Sequence, residues 1–228
     1  MMATQLLASS CALCGRYQTG LLCQACRVRH FSNTRARCSR CAIALPAATT
    51  CCSSCVANPP SFDASFSATD YAAPTDTLVQ ALKFRAHLPL AAAFADLLMT
   101  AVPPEAVASA SVVMAVPLSA ERIAQRGFNQ AHEIARLMAR TWRLPLATEL
   151  CVRVRDTEPQ SSLPLAQRRG NMRGAFTVMR RDTLVGQHVV LVDDVMTTGE
   201  TLEALAATLK RNGTARVTNL VFARTPAR

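Results

Sequence analysis

Three stretches of the chain are rich in branched and aliphatic residues, and polar segments separate them. They lie at 111–116, 189–192 and 217–222. A short apolar run predicts a strand buried on both faces, as in a parallel sheet. Apolar positions at helical spacing follow the first two runs: Ala131, Ile134, Ala135 and Met138 after the first, and Leu202, Leu205, Ala206 and Leu209 after the second. The pattern predicts an α/β fold in which helices connect parallel strands.

Weaker patterns predict the remaining elements. Partial alternation over 62–71 indicates a strand or hairpin, and residues 150–153 indicate a short strand. Residues 75–77 could cap a helix that has Lys83 near its end, and the alanine-rich stretch 88–100 predicts a second helix. A lysine there normally interacts with the helix dipole, although it could instead point into a crevice at the sheet edge.

Size and charge narrow the classes of protein. The chain has 228 residues, half of them apolar, which suits one ordinary domain plus a small module and argues against global disorder. The formal charge is +10, and two four-thiolate zinc sites would lower it to about +6. The net charge therefore gives only weak support for an anionic partner. We find no apolar run of about 20 residues and no basic start typical of a signal peptide, so we expect no membrane insertion and a cytoplasmic location.

Cysteines dominate the first quarter of the chain. Nine of the ten lie between Cys11 and Cys55, and eight of them form four C-x-x-C pairs: Cys11/Cys14, Cys23/Cys26, Cys38/Cys41 and Cys52/Cys55. This spacing lets two thiolates of one turn reach the same tetrahedral metal, so the pattern predicts two four-cysteine zinc sites. A disulfide framework would suit an exported protein, and an iron–sulfur cluster is a minor alternative.

The pairing of these cysteines stays open at this point. Consecutive sites would use the first two pairs for one zinc and the last two for the other, but the sequence is also compatible with an interleaved arrangement. Cys51 could replace Cys52 as a ligand. Residues 1–60 also carry six arginines and no acidic residue. These arginines could follow a nucleic-acid backbone, or they could balance thiolate charge; a structural module is the preferred interpretation.

The consecutive prolines at 59–60 indicate a boundary. We therefore predict a double zinc ribbon over residues 1–58 and a second domain over residues 62–228.

An acidic pair and a threonine-rich turn follow the apolar run at 189–192. Asp193 and Asp194 could accept hydrogen bonds from a sugar diol. Small hydroxyl residues and a glycine at a helix start can hold a phosphate through backbone N–H groups. The segment resembles the 5-phosphoribosyl-1-pyrophosphate (PRPP) motif of type I phosphoribosyltransferases. The ligand-binding residues predicted from this segment are Val195, Thr197, Thr198, Gly199, Glu200 and Thr201. An ordinary strand–turn–helix unit with Thr198 or Thr201 as the N-cap is the alternative.

A second predicted strand–loop–helix unit follows the run at 111–116. Pro117 closes the strand, and we expect a polar loop over 121–130 before the next helix. Arg126 in this loop could bind pyrophosphate through paired hydrogen bonds, and Asn129 is a further candidate. In the long polar stretch 156–174, Arg168 could approach pyrophosphate when the loop closes.

The sequence as a whole is similar to the ComF/GntX family. The resemblance rests on Val-Pro-Leu at 116–118, Arg-Gly-Phe-Asn-Gln at 126–130, the segment 160–176 and the aspartate pair. It implies a phosphoribosyltransferase-like, Rossmann-like domain headed by a double zinc ribbon, and a link to competence and the uptake or use of external DNA.

That resemblance implies PRPP with magnesium as the ligand, with Asp193, Asp194 and Arg168 as the catalytic candidates. The residues leave two functions open. One is a phosphoribosyltransferase, a glycosyltransferase whose acceptor is unknown. The other is a non-catalytic protein that binds a phosphoribosyl compound or single-stranded DNA, or that acts with DNA-processing proteins.

Overall fold

The computed structural model describes residues 8–32, 35–46, 49–154, 174–180 and 183–227. In chain order, its strands are β1 (Ala8–Ser10), β2 (Tyr17–Thr19), β3 (Ala64–Asp70), β4 (Val112–Ala115), β5 (Leu146–Ala147), β6 (Cys151–Arg153), β7 (Phe176–Val178), β8 (His188–Met196) and β9 (Arg216–Arg224). Its helices are α1 (Gln24–Phe31), α2 (Ser53–Ala57), α3 (Thr75–Arg85), α4 (Pro89–Ala101), α5 (Pro104–Val107), α6 (Ala120–Arg126), α7 (Gln130–Trp142) and α8 (Glu200–Arg211).

A five-stranded parallel sheet forms the centre of the fold. Its strand order is β3-β9-β8-β4-β5, and every neighbouring pair runs parallel. The central strand β8 is buried on both faces, since none of the four side chains from Val189 to Val192 is exposed. This arrangement confirms the α/β fold predicted from the apolar runs.

Helices cover both faces of the sheet. Alternate residues of β8 belong to different cores: Val190 and Val192 pack with α4 and α7, whereas Val189 and Leu191 pack with α8. The apolar stripe of α8 includes Leu202 and Leu205, as its helical spacing predicted. The carboxyl ends of β3, β9, β8 and β4 therefore meet along one open edge of the sheet, where ligands bind in folds of this class.

The cysteine-rich segment lies against β3, the edge strand of the sheet. The backbone N–H of Ser65 in β3 donates to the carbonyl of Ser39 at 3.2 Å. The Thr69 hydroxyl donates to the carbonyl of His30 at the end of α1, at 3.0 Å. These contacts occupy a strand edge that would otherwise present unpaired backbone groups to solvent. The fold is thus a parallel sheet with an N-terminal double zinc ribbon.

Two local predictions were wrong. The expected polar loop over 121–130 is helical up to Arg126, because Ser119 caps α6 by accepting from the N–H of Arg122. Gly127 ends this helix in the left-handed region, with φ 78°. The apolar pattern did not reveal α6, because none of its residues is buried. The strand β8 also continues through both aspartates to Met196, since it stays paired with β9 that far.

The two weaker strand predictions, at 62–71 and 150–153, are confirmed. Residues 62–71 contain the single strand β3, and β6 pairs with β7 in a separate antiparallel hairpin-like sheet. In the described ranges, we find no helix with the length and apolar character that a membrane span requires. The predicted domain boundary near residues 59–60 stays a prediction.

Candidate ligand and metal sites

The two aspartates lie at the carboxyl end of β8, the central strand of the sheet. Asp193 is partly exposed, whereas Asp194 is buried, with 3% of its surface accessible. A lysine from the end of α3 reaches the pair: Lys83 Nζ lies 2.8 Å from Asp194 Oδ2. Of the two roles considered for Lys83, the structure places it in the crevice. Sequence reasoning could not choose this role, because the partners come from distant parts of the chain.

The Asp193 carboxyl has a shifted protonation equilibrium. Although part of the residue is exposed, loss of solvent around the Asp193 carboxyl raises its pKa. The neighbouring charge of Asp194 raises this pKa further, whereas the Lys83 ammonium opposes both effects. The two carboxylates belong to adjacent residues, so their negative charges repel each other. One proton or one bound cation would relieve the repulsion between them. Shifted carboxylates of this kind are frequent at functional sites.

The threonine-rich turn follows directly. A hollow of about 20 Å³ lies at this turn, and its lining includes all six predicted residues of the segment. The lining residues are Asp193, Val195, Met196, Thr197, Thr198, Gly199, Glu200, Thr201 and Leu202. The structure thus brings the acid pair and the turn to one place, at the N-terminus of α8, where the helix dipole favours an anion.

Gly199 sets the shape of the turn. It is the N-cap of α8 with φ 88°, a conformation that favours glycine. A Cβ at this position would lie 2.6 Å from Met196 Cε. The sequence alternative, in which Thr198 or Thr201 caps the helix, is therefore not what the structure shows.

Arg126 ends α6 beside the acid pair. Its guanidinium lies 5.4 Å from the centre of the Phe84 ring, and its Nη1 donates to Gln130 Oε1 at 3.2 Å. Burial lowers the pKa of Arg126, and the carboxylates of Asp194 and Asp193 oppose that shift. The guanidinium therefore lies in the electrostatic field of both acids, and its contact with an anion stays a prediction.

The other candidates have different positions. Pro117 follows β4 at the same sheet edge and is partly exposed. Asn129 caps α7: its Oδ1 accepts from the N–H of Ala131 at 2.9 Å, and its Nδ2 donates to the Val116 carbonyl at 3.0 Å. Its side chain is thus engaged in holding α7 against the end of β4, so a ligand contact of Asn129 stays a prediction. Arg168 lies outside the described residues.

Sequence reasoning missed Arg224, a buried arginine at the end of β9. Only 6% of its surface is exposed. Its Nε donates to the Cys41 carbonyl at 2.9 Å, and its Nη1 donates to the Met196 carbonyl at 3.0 Å, and also to the carbonyls of Thr197 and Thr225. Arg224 therefore ties the cysteine-rich segment to the start of the threonine-rich turn. An arginine at a strand end gives no local sign of such a role.

The eight paired cysteines form two clusters. The first cluster is Cys11, Cys14, Cys23 and Cys26, and the second cluster is Cys38, Cys41, Cys52 and Cys55. Within each cluster the sulfur atoms lie within 4.8 Å of one another. This is the consecutive pairing, not the interleaved one.

The sulfur separations fit zinc. Four bonds of about 2.3 Å in tetrahedral geometry place sulfurs about 3.8 Å apart. The Cys14 and Cys23 sulfurs lie 3.7 Å apart, and so do those of Cys41 and Cys52. Each cluster could therefore bind one zinc ion. Cys51 is a fifth thiol near the second cluster, with its sulfur 3.8 Å from that of Cys38.

Comparisons with known proteins agree with this arrangement. Residues 123–228 match the family described as Phosphoribosyl transferase domain. The chain is 32% identical over 203 residues to DNA utilization protein YhgH of Salmonella typhimurium, covering 86% of this chain and 87% of that protein. It is 31% identical over 173 residues to Competence protein F of Haemophilus influenzae, covering 71% and 73%. It is 34% identical over 104 residues to Competence protein ComFC of Bacillus subtilis, covering 46% and 40%.

Proposed function

We propose a phosphoribosyl ligand for this chain, which belongs to the ComF/GntX family of phosphoribosyltransferase-like proteins. The ligand is PRPP or a related phosphoribosyl compound, bound together with Mg²⁺. One observation carries the proposal. Asp193 and the threonine-rich turn line a common hollow at the carboxyl end of β8, within the part of the chain that matches the phosphoribosyl transferase domain.

Each part of the site has a chemical role in this proposal. Asp193 and Asp194 accept hydrogen bonds from the two ribose hydroxyls, while Lys83 balances the charge of the buried carboxylate. The turn from Thr197 to Thr201 holds the 5-phosphate with its hydroxyls and with the helix N-terminus. Carboxylate oxygens are also the ligands that Mg²⁺ prefers, and the ion would neutralise pyrophosphate charge when bound.

Arg126 supplies the second anion contact. Its guanidinium already lies near the acid pair, and the backbone at Pro117 lies on the same sheet edge. A planar guanidinium binds phosphate oxygens through paired hydrogen bonds. The two relatives matched along most of their length are named for DNA utilization and competence. We propose that ligand binding by this chain serves the same kind of process.

Titration calorimetry tests the proposal. We expect the zinc-loaded chain to bind PRPP with Mg²⁺. We expect Asp193→Asn to weaken binding by about tenfold, because the ribose hydroxyl would then donate to a neutral amide instead of a charged carboxylate. Asp96→Asn is the matched control, since that carboxylate lies on α4 and pairs with Arg27 at an exposed position, away from the acid pair on β8. No heat from wild-type protein with either PRPP or ribose 5-phosphate would refute the proposal.

A second measurement separates binding from turnover. Pyrophosphate release is followed with PRPP, Mg²⁺ and a panel of nucleobases. Release that depends on one base would identify a phosphoribosyltransferase. Binding without release across the panel would identify a protein that holds the phosphoribosyl compound without transferring it.

A further inference from the structure

A second cavity lies at the same sheet edge, between α1 and the carboxyl end of β3. Its volume is about 420 Å³, and its lining includes Arg29, Arg35, Arg37, Thr69 and Asp70. We propose that this cavity binds the terminal phosphate of a ligand of mononucleotide size. The cavity is separate from the acid pair and the threonine-rich turn, which share none of its lining residues.

The charge of the cavity favours an anion. Three arginines face one carboxylate among its lining residues, so two positive charges remain. Asp70 Oδ1 lies 2.8 Å from Arg37 Nη2, and Asp70 Oδ2 lies 3.4 Å from Arg35 Nη1. Arg29 forms no hydrogen bond or ion pair with any described residue and is exposed at the cavity wall. Its guanidinium can therefore turn to an incoming ligand without breaking an internal contact.

The cavity combines a buried, hydrogen-bonded arginine with an exposed one. Arg37 is held by the Ala42 carbonyl at 3.0 Å and by Asp70, and only 11% of its side chain is exposed. Arg35 has 73% of its side chain exposed and a long contact to Asp70. A fixed guanidinium offers a preformed donor fork, and an exposed one can close over the ligand.

Size and charge select a terminal phosphate over a backbone phosphate. A terminal phosphate monoester carries about −1.5 to −2 charges at neutral pH, which matches the charge of the lining, whereas a backbone phosphodiester carries a single charge. A cavity of about 420 Å³ holds one nucleotide-sized molecule. A longer chain would extend beyond its walls.

The strand register places this cavity beside the phosphoribosyl site. Asp70 pairs with Arg224, and Arg224 pairs with Met196 at the start of the threonine-rich turn. Two strand spacings, about 10 Å, separate Asp70 from Met196. If the proposed function holds, the chain would therefore hold two phosphate-bearing ligands side by side. Binding to the cavity itself does not depend on the proposed function.

The first test uses inorganic phosphate and dAMP with the full, zinc-loaded chain. We expect both to bind, and the double variant Arg29→Glu with Arg35→Glu to weaken dAMP binding by about tenfold or more. Arg16→Glu with Arg140→Glu is the matched control, because both are exposed arginines that do not line the cavity and the two double variants change the net charge equally. An equal loss in both variants would show only a general charge effect and would overturn the proposal.

Short oligonucleotides with and without a 5′-phosphate identify the source of the phosphate. We expect the phosphorylated one to compete with dAMP and the other to compete poorly. Equal competition by both would indicate backbone contacts and refute the terminal-phosphate site.

A comparison of the two sets of variants distinguishes this proposal from the proposed function. The Arg29/Arg35 variant should still bind PRPP with Mg²⁺, and Asp193→Asn should still bind dAMP. Loss of dAMP binding in Asp193→Asn would place dAMP at the acid pair instead.

Discussion

The two cysteine clusters have the same ligand set but lie on opposite faces of the sheet. Cys11, Cys23 and Cys26 of the first cluster belong to the core formed with α4 and α7. Cys38 and Cys41 of the second cluster belong to the core formed with α8, the helix that follows the threonine-rich turn. Because the two clusters pack against different faces of the sheet, we expect their metal sites to affect different parts of the fold.

The contacts of the two clusters with the rest of the fold differ in kind. Near the first cluster, Arg27 pairs with Asp96 at 2.7 Å in an exposed salt bridge. At the second cluster, the buried Arg224 joins the Cys41 carbonyl to the Met196 carbonyl. The second cluster is therefore linked to the candidate ligand site through backbone acceptors, and the first is linked to a helix surface.

Removal of each zinc site in turn should give the largest difference in PRPP affinity between the two clusters. We expect Cys38→Ser with Cys41→Ser to lose one zinc and to weaken PRPP binding by at least about tenfold, as is typical when groups that orient a site are removed. We expect Cys11→Ser with Cys14→Ser to lose one zinc and to keep its affinity for PRPP within about threefold. Zinc content and titration calorimetry measure both effects.

Cys51→Ser is the control for this experiment. Cys51 lies near the second cluster but outside its set of four ligands, so we expect this variant to retain two zinc ions. An equal loss of affinity in the two double variants would show that the clusters are equivalent for the ligand site. Loss of zinc in Cys51→Ser would mean that Cys51 is a ligand in place of Cys52.

Arg224→Gln should give the next largest effect. The substitution removes the arginine donor of the buried Cys41 carbonyl, and an unsatisfied buried carbonyl costs about 1–3 kcal/mol. It also removes one donor of the Met196 carbonyl, which keeps its hydrogen bond from the N–H of Thr225. We expect a loss of about 3 kcal/mol in the free energy of unfolding, weaker PRPP binding and an unchanged content of two zinc ions. Denaturant unfolding, calorimetry and zinc analysis measure these three quantities.

Arg216→Gln, at the start of the same strand, is the control for Arg224→Gln. Arg216 begins β9 and is only partly buried, so Arg216→Gln should change the stability by about 0.5 kcal/mol or less. If Arg224→Gln kept full affinity for PRPP despite its lower stability, the link between the second cluster and the ligand site would be structural only.

The sequence predicted what depends on local spacing. C-x-x-C pairs are short turns, so the eight clustered cysteines could be named, and continuous apolar runs located β4, β8 and β9. Contacts between distant residues could not be predicted in this way. Arg224 and Cys41 lie 183 positions apart. The spacing of residues within one helix, strand or turn gives no information about a contact over that distance. The sequence analysis did not predict helix α6, because this helix buries no side chain and so has no apolar pattern.

We expect a smaller effect on stability at Ser61, which follows the second cluster in the chain and contacts Glu203 of α8. The Ser61 hydroxyl donates to Glu203 Oε1 at 2.6 Å, and the Ser61 N–H donates to Glu203 Oε2 at 2.7 Å. Ser61→Ala removes the first bond and keeps the second, so we expect a loss of about 1–2 kcal/mol in the free energy of unfolding. Thermal and denaturant unfolding measure this loss. No change would mean that solvent replaces the hydroxyl at this contact.

The smallest effect belongs to the first cluster's contact with α4. Arg27 and Asp96 have 37% and 53% of their side chains exposed, and a salt bridge of this kind contributes about 0.2–1 kcal/mol. We expect Arg27→Ala to lower the free energy of unfolding by no more than about 0.5 kcal/mol in 0.15 M salt and to leave PRPP affinity unchanged. A loss of PRPP affinity in this variant would contradict the expected difference between the two clusters, because it would link the first cluster to the candidate ligand site at the carboxyl end of β8.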